Sequence, residues 1–313
     1  MASYLVTGIA GFIGSSVASA LLGRGDRVIG LDNLSSGHAE NIPSGAEFIN
    51  GDCLDDAVYA SALPKERYDA ILHLAGRDDE GFGPQGPLAD MRANTESTLR
   101  LLDFALAVGC GRFIYRSSAS VYGIQPDIPV AESASPRPAS CSGISRLAAE
   151  GYVSLYEKRG IRSTILRLFA TYGPMRNRSG ARQSLPALFM EMLQNNRHIL
   201  VDGSPNRCRD FAHIDDVTRA FVACLDRPQS TGQIINIGGS GKVMVGDLVD
   251  RIAALSEHPV TVEYSGYSAN EPFGVHADIS MAAKYLGYDP EVGLNQGLRQ
   301  MYDWYMAAYG KPE

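Results

Sequence analysis

Thr7-Gly8-Ile9-Ala10-Gly11-Phe12-Ile13-Gly14 is the first run in the chain whose spacing could do chemistry. Its three glycines follow a short apolar run and open a segment of helical period. Glycines so placed permit a tight turn, close approach of backbone to a pyrophosphate, and close packing of helix on strand. The helix start then offers free N–H groups to phosphate oxygens. A glycine triplet alone also suits a purely structural turn. Asp32, eighteen residues past Gly14 at the end of the second apolar run, separates the two readings. A carboxylate there accepts the hydroxyls of an adenosine ribose and repels a 2′-phosphate, so the pair predicts dinucleotide binding, with NAD favoured over NADP. No arginine follows at once; Asn33, Leu34, Ser35, Ser36 and Gly37 do. No G-K-[ST] follows the glycines, which excludes a P-loop.

Such residues need a sheet to place them. Short apolar runs at 4–6, 27–31, 47–49, 70–74, 112–115 and 163–168 alternate with segments at about 12–24, 93–108 and 142–158 whose apolar residues recur at three and four. In the third segment Ile144, Leu147, Ala148, Tyr152 and Leu155 share one helical face. The alternation predicts parallel β-α-β units, an α/β fold with a Rossmann-like doubly wound parallel sheet. After about residue 170 prolines and short apolar runs break the rhythm, which suggests a smaller substrate-facing part. Residues 231–239 read as one more strand of the main sheet, and 295–309 as a last helix anchored by Leu298, Met301, Tyr302 and Tyr305.

The chain's 313 residues are enough for one large domain or two intimate ones. Its 28 basic and 35 acidic residues leave a net charge of −7, which argues against nucleic acid or an anionic membrane as partner. No apolar run approaches a membrane span, and no signal peptide is evident. Five scattered cysteines without a C-x-x-C pair predict reduced thiols and a cytoplasmic location. The six histidines form no metal-binding pattern, so no metal is expected.

Further segments join the glycine turn in resembling one family. They are Gly51-Asp52-Cys53, Leu72-His73-Leu74-Ala75-Gly76, Asn94, Ser117-Ser118-Ala119-Ser120-Val121-Tyr122-Gly123, Arg167-Leu168-Phe169-Ala170-Thr171-Tyr172-Gly173-Pro174 and Arg209-Asp210-Phe211-Ala212-His213-Ile214-Asp215-Asp216. Together they resemble the extended short-chain dehydrogenase/reductase superfamily, and within it the NAD-dependent epimerases and dehydratases of nucleotide sugars, over nearly the whole chain. The resemblance implies an NAD site made by Gly8, Gly11, Phe12, Ile13, Gly14, Asp32, Asn33, Leu34, Ser35, Ser36, Gly37, Asp52, Cys53, Leu74, Ala75, Gly76, Arg77, Asn94, Arg146 and Phe169. It implies Ser118 as the catalytic Ser/Thr. It implies Ser118, Ala119, Ser120, Ser142, Ala170 and Arg209 at a UDP- or dTDP-sugar, with Arg209 on the diphosphate. A homodimer through the helices at 93–108 and 142–158 is implied too, although those stripes suit a core equally. His73 reads as a buried structural histidine.

The family's proton carrier is a Tyr-x-x-x-Lys pair on the helix after the active-site strand. Aligning Gly143 and Ser145 puts Ser142 at the tyrosine and Arg146 at the lysine. A seryl hydroxyl is a far weaker acid than a phenol of pKa ~10, and it lacks the ring's reach. Arg146 keeps the charge and can hold the nicotinamide ribose, but it stays protonated and cannot relay protons. Three readings remain open. Another base could serve: Ser118 through a water held by Ser142, a carboxylate of Asp78-Asp79-Glu80, or Cys141, where the family usually has proline. The acids read equally as a solvated cluster, and Cys141 as a small buried residue. The chemistry could instead be dehydration or net redox, although Ala119 and Ser120 stand where 4,6-dehydratases carry an acid pair. Or the chain could bind NAD as a sensor or scaffold. Ala170 replaces a substrate-touching asparagine, and 270–274 lacks an arginine often found there. The leading expectation is 4-epimerisation through a transient 4-keto sugar, with catalytic candidates Ser118, Ser142 and Arg146. Residues 1–168 plus 207–239 would bind NAD, and 169–206 plus 240–313 the substrate.

Overall fold

A computed structural model describes residues 1–78, 86–174, 184–266 and 274–310. The strands are β1 (Ser3–Thr7), β2 (Arg27–Asp32), β3 (Glu47–Asn50), β4 (Ala70–His73), β5 (Arg112–Ser118), β6 (Arg162–Leu168), β7 (Ala170–Tyr172), β8 (His198–Asp202), β9 (Cys208–His213), β10 (Gln233–Ile237), β11 (Lys242–Met244) and β12 (Thr261–Ser265). The helices are α1 (Phe12–Gly23), α2 (Gly86–Met91), α3 (Ser97–Ala107), α4 (Cys141–Tyr156), α5 (Leu185–Asn196), α6 (Ile214–Asp226), α7 (Val245–Ala253), α8 (Ser280–Leu286) and α9 (Leu294–Tyr309).

Apolar runs such as Tyr4-Leu5-Val6 become strands buried on both faces, as central strands of a parallel sheet must be. Tyr4 and Val6 pack toward α1, α6 and α8, while Leu5 packs toward α3 and α4. Seven strands pair in parallel in the order β10-β6-β5-β4-β1-β2-β3. The chain winds outward from β1 to β3, then returns to β4 on the other side of β1. That reversal leaves a crevice at the carboxyl ends of β1 and β4, where open α/β sheets bind ligands.

The expected strands and helices are present, and 231–239 contains β10 of the main sheet. The expected division needs two corrections. β9, placed with the NAD-binding part by the boundary at 207, pairs instead with β7 and β11 in a separate three-stranded sheet. α8, placed in the substrate part, packs Ala282 and Leu286 into the core that contains Phe221 of α6. The smaller core is built by α5, α7 and α9 around β8 and β9, with Phe189, Leu248, Met301 and Tyr305 at its centre.

α4 is amphipathic, but its apolar stripe points away from the sheet. Ile144 is 58% exposed, Leu155 50% and Tyr152 39%. The buried face carries Ser142, Ser145, Arg146, Ala149, Glu150 and Val153 instead. Polar groups can occupy that face because neighbouring elements supply their partners. A π-helical turn, Arg92–Glu96, joins α2 to α3 and aims two of these partners. Asn94 Nδ2 donates to Ser145 Oγ at 2.9 Å, and Thr95 Oγ1 to the Ser145 carbonyl at 2.8 Å.

Candidate active site

At the crevice the glycine turn adopts the expected shape. Gly8 has φ +73°, and its N–H donates to the Leu31 carbonyl at 2.8 Å. Gly11 is the N-cap of α1 with no side-chain cap, and the first turn contains no acid. The helix therefore presents its orphan N–H groups and positive dipole end without an internal anion. Asp32 closes the turn from β2. Its Oδ2 accepts from Ala10 N at 3.0 Å and its Oδ1 from Leu34 N at 2.8 Å, which holds Leu34 at φ +56°. Each carboxylate oxygen keeps a second lone pair for a ribose hydroxyl. These residues fit the adenosine and pyrophosphate end of a dinucleotide.

The other expected cofactor residues surround this turn. Phe12 and Ile13 are half-buried in the first turn of α1, Gly37 is buried against Ala10, and Asn33, Ser35 and Ser36 are exposed. Asn33 Nδ2 donates to Asp52 Oδ2 at 2.7 Å, tying the end of β2 to the end of β3. Cys53 is buried with its thiol pushed up to about 12, so it lines the site as an inert apolar group. Beyond β4, Asn94 brackets Arg77: its Oδ1 accepts from Arg77 N at 2.8 Å, and its Nδ2 donates to the Arg77 carbonyl at 3.0 Å. Leu74, Ala75 and Gly76 form the segment so held, and Phe169 packs beside Tyr122.

Beneath that segment, His73 is fully buried between two hydroxyls. The Ala75 N–H donates to Thr7 Oγ1, which lies 2.7 Å from His73 Nδ1. Thr98 Oγ1 donates to the Asn94 carbonyl, so it accepts from His73 Nε2 at 3.0 Å. This chain fixes a neutral ring with its proton on Nε2. Burial, aided by Arg146 and Arg116, pulls its pKa from 6.5 to about 3. Between those values the unfolded chain binds a proton that the folded chain refuses, so stability falls as pH falls, with a slope of about 1.4 kcal/mol per pH unit from this group. His73→Gln should therefore lose less stability than the native protein between pH 7 and pH 5, as read from urea midpoints. An equal loss in both would refute the assignment.

The active-site strand delivers Ser118 at the carboxyl end of β5. Its Oγ accepts from Ser120 N at 3.2 Å and caps the short turn Ala119–Val121. Ser120 Oγ is buried and has no hydrogen-bond partner among the described residues. α4 begins beside this turn, its first turn capped by Ser140 Oγ accepting from Gly143 N at 3.1 Å. A Cβ at residue 143 would stand 2.6 Å from the Ser120 carbonyl oxygen, so only glycine allows this approach. Ser142 is thus brought to the active-site turn, but it is only 3% exposed.

Arg146 is fully buried. Its Nε donates to Asp78 Oδ1 at 2.7 Å, its Nη1 to the Arg116 carbonyl at 2.8 Å, and its Nη2 lies 3.4 Å from the Arg77 carbonyl. The guanidinium is committed to the protein at three atoms. Asp78 also accepts from Arg116 Nη2. Burial would raise the Asp78 pKa, but the two guanidiniums outweigh it and hold the carboxyl well below its usual range. A carboxylate so held is a poor proton acceptor, which removes Asp78 as the replacement base. Asp79, Glu80 and residues 270–273 lie outside the described residues.

Two features of the site went unread in the sequence. Arg116 is one; a cation directly after the apolar run Phe113-Ile114-Tyr115 and two residues before Ser118 was the available signal. The other is a buried bidentate pair. Arg167 donates to Glu150 through Nε at 2.9 Å and Nη2 at 2.6 Å, and Ser117 Oγ donates to Glu150 Oε1 at 2.5 Å. The Arg167 guanidinium lies 4.7 Å from the centre of the Tyr122 ring.

On the far side of the crevice, Arg209 is half-buried on β9 beside Gly274. Its neighbour Asp210 anchors the strand, accepting from Gly239 N at 2.6 Å and Ala277 N at 2.9 Å. Ala170 opens β7 opposite Phe211. Among the described residues, no cluster of three or more His, Cys, Asp or Glu could hold a metal, and no helix is long and apolar enough to cross a membrane.

Comparison with known proteins agrees with this geometry. The profile of the NAD dependent epimerase/dehydratase family matches residues 4–238. The chain is 31% identical over 308 residues to UDP-glucose 4-epimerase of Mycolicibacterium smegmatis, covering 96% of this chain and 97% of the relative. It is 30% identical over 302 residues to a putative UDP-glucose 4-epimerase of Methanocaldococcus jannaschii, with the same coverage. Among solved structures, UDP-glucuronic acid 4-epimerase from Bacillus cereus in complex with UDP-glucuronic acid and NAD superposes with a TM-score of 0.87 at 30% identity, covering 98% of this chain and all of that one.

Proposed function

The chain belongs to the NAD dependent epimerase/dehydratase family, and we propose that it is an NAD-dependent 4-epimerase of a UDP-sugar whose proton-handling helix has been rebuilt. The observation that carries this reading is the joint presence, in one crevice, of the cradle of Gly8, Gly11, Gly14 and Asp32 with Ser118 on one side and Arg209 on the other. Curated relatives of nearly the same length are named UDP-glucose and UDP-glucuronate 4-epimerases, which supports UDP rather than dTDP as the nucleotide.

A bound NAD would supply the acceptor and donor of a hydride at the sugar carbon. Asp32 holds the adenosine ribose, and the α1 N-terminus the pyrophosphate. Arg209 binds the substrate diphosphate, and Ser118 hydrogen-bonds the reacting hydroxyl. Ser120, whose buried Oγ lacks a partner among the described residues, offers a second hydroxyl there. Ser142 lies too deep and is too weak an acid to replace a phenol, so the proton of the reacting hydroxyl passes through Ser118 to a water beside it as the hydride leaves, and returns by the same path. We infer a division close to the expected one, with the crossover moved to the boundary between β9 and α6 and with α8 joined to the NAD-binding part. We also infer a homodimer through α4, one of the two helices expected, with α2 in place of the 93–108 helix, whose Leu101, Leu102 and Phe104 are buried in the main core; Leu88, Met91, Ile144, Tyr152 and Leu155 are the exposed apolar residues of α2 and α4. Five unpaired cysteines suit a reducing cytoplasm.

Incubation with NAD and UDP-glucose or UDP-glucuronic acid should yield the 4-epimer by NMR, without accumulation of NADH. Stoichiometric NADH would indicate net redox, and the absence of any product would defeat the epimerase reading. One observation favours a second reading, an NAD-binding protein without turnover: the Ser142 hydroxyl is buried and the Arg146 guanidinium is fully engaged.

A further inference from the structure

The glycine turn after β1 and Asp32 after β2 receive the pyrophosphate and adenosine of a dinucleotide. Its other half must extend across the switch point, over the ends of β4 and β5. Asp78, Arg116 and Arg146 meet there. One carboxylate joins two guanidiniums, Oδ1 to Arg146 Nε and Oδ2 to Arg116 Nη2. The cluster therefore carries one net positive charge. The Arg116 side chain is 15% exposed, and its Nε is buried without a hydrogen-bond partner among the described residues. Two further cations near it are matched, Arg77 by Asp90 and Arg167 by Glu150.

We propose that the Asp78–Arg116–Arg146 cluster sets the redox preference of the bound nicotinamide, holding NADH more tightly than NAD+. This rests on the reading of the crevice as an NAD site. The two forms differ at that end by the charge of one ring and share the rest of the molecule, so contributions from the adenosine and pyrophosphate sites cancel. A tyrosine at position 142 could offset the excess charge as a phenolate; Ser142 cannot ionise to do so. At an effective dielectric of ~20, a unit charge acting across ~10 Å is worth about ten-fold in a ratio of affinities.

The test measures dissociation constants of NAD+ and NADH calorimetrically on the full-length native protein, Arg116→Ser, Arg116→Lys and Asp78→Asn. The ratio of the NAD+ constant to the NADH constant should fall about ten-fold in Arg116→Ser. It should stay at the native value in Arg116→Lys and rise in Asp78→Asn. A ten-fold fall lowers the potential of the bound couple by about 30 mV. Because the ratio compares two ligands on one protein, partial misfolding of a variant does not move it. An Arg116→Ser ratio equal to the native one, with both forms binding, overturns the proposal and leaves the NAD site intact. Failure of both forms to bind the native protein overturns the NAD reading and the proposal together.

Discussion

Glu150→Ala should destabilise the protein by about 3–5 kcal/mol, the range expected when one partner of a buried ion pair is removed. The Arg167 side chain is 4% exposed and Glu150 3%. Glu150 accepts two hydrogen bonds from Arg167 and one from Ser117, so its loss strands a guanidinium and a hydroxyl away from water. The Tyr122 ring remains beneath Arg167 and recovers only part of the loss. The cation itself would persist, because guanidinium deprotonation is out of reach. Urea titration would measure the effect as a lowered midpoint. A double change, Glu150→Met with Arg167→Met, should be far milder, since it strands no charge. A loss below 1 kcal/mol for Glu150→Ala would show that α4 is not anchored to β6 in this way.

Gly14→Ala should cost the chain NAD affinity by about 100-fold, the scale of a misplacement of about 1 Å at a preorganised site. A Cβ at residue 14 would lie 1.9 Å from the Gly8 carbonyl oxygen and 2.7 Å from its carbon. Both are backbone atoms of the turn, and no side chain can move aside to relieve the overlap. α1 must back away from β1, carrying with it the N–H groups that face the pyrophosphate. Overpacking of this kind also costs about 1–3 kcal/mol of stability. Gly23→Ala is the matched control: it lies at the other end of the same helix with nothing within 4 Å of the added carbon. It should bind NAD normally and gain slightly in stability. Equal NAD affinity in the two variants would remove the turn from the cofactor site.

The strand–helix rhythm, the switch point and the adenosine half of the site were legible because each is written locally. Three glycines, an acid eighteen residues on, and apolar runs of strand length need no knowledge of distant residues. α4 shows where this fails. Its period was readable, but its facing was not, because an apolar stripe normally turns inward. Here Ser145, Arg146 and Glu150 face inward, each satisfied by a group from elsewhere: Asn94, Asp78 and the Arg116 carbonyl, Arg167 and Ser117. The same nonlocality hid the commitment of Arg146. The family resemblance implied that it stands where a lysine is usual, but Asp78 lies 68 residues away in sequence and declares its role only in space. The division into parts was less legible for a related reason: nothing local in β9 tells which sheet it joins, and only pairing shows it.

The three-point hold on Arg146 makes residues 78, 116 and 146 a single unit of inheritance. None can change alone without leaving a charge that the others were fitted to. A lysine at 146 would bring one compact cation in place of a planar fork, unable to serve Asp78 and the Arg116 and Arg77 carbonyls together. Substitutions at these positions will therefore not add, and the effect of each will depend on which of the others came first. Any route between this helix and a tyrosine–lysine pair at 142 and 146 must pass through Asp78 and Arg116, so the distance between them is longer than two letters imply.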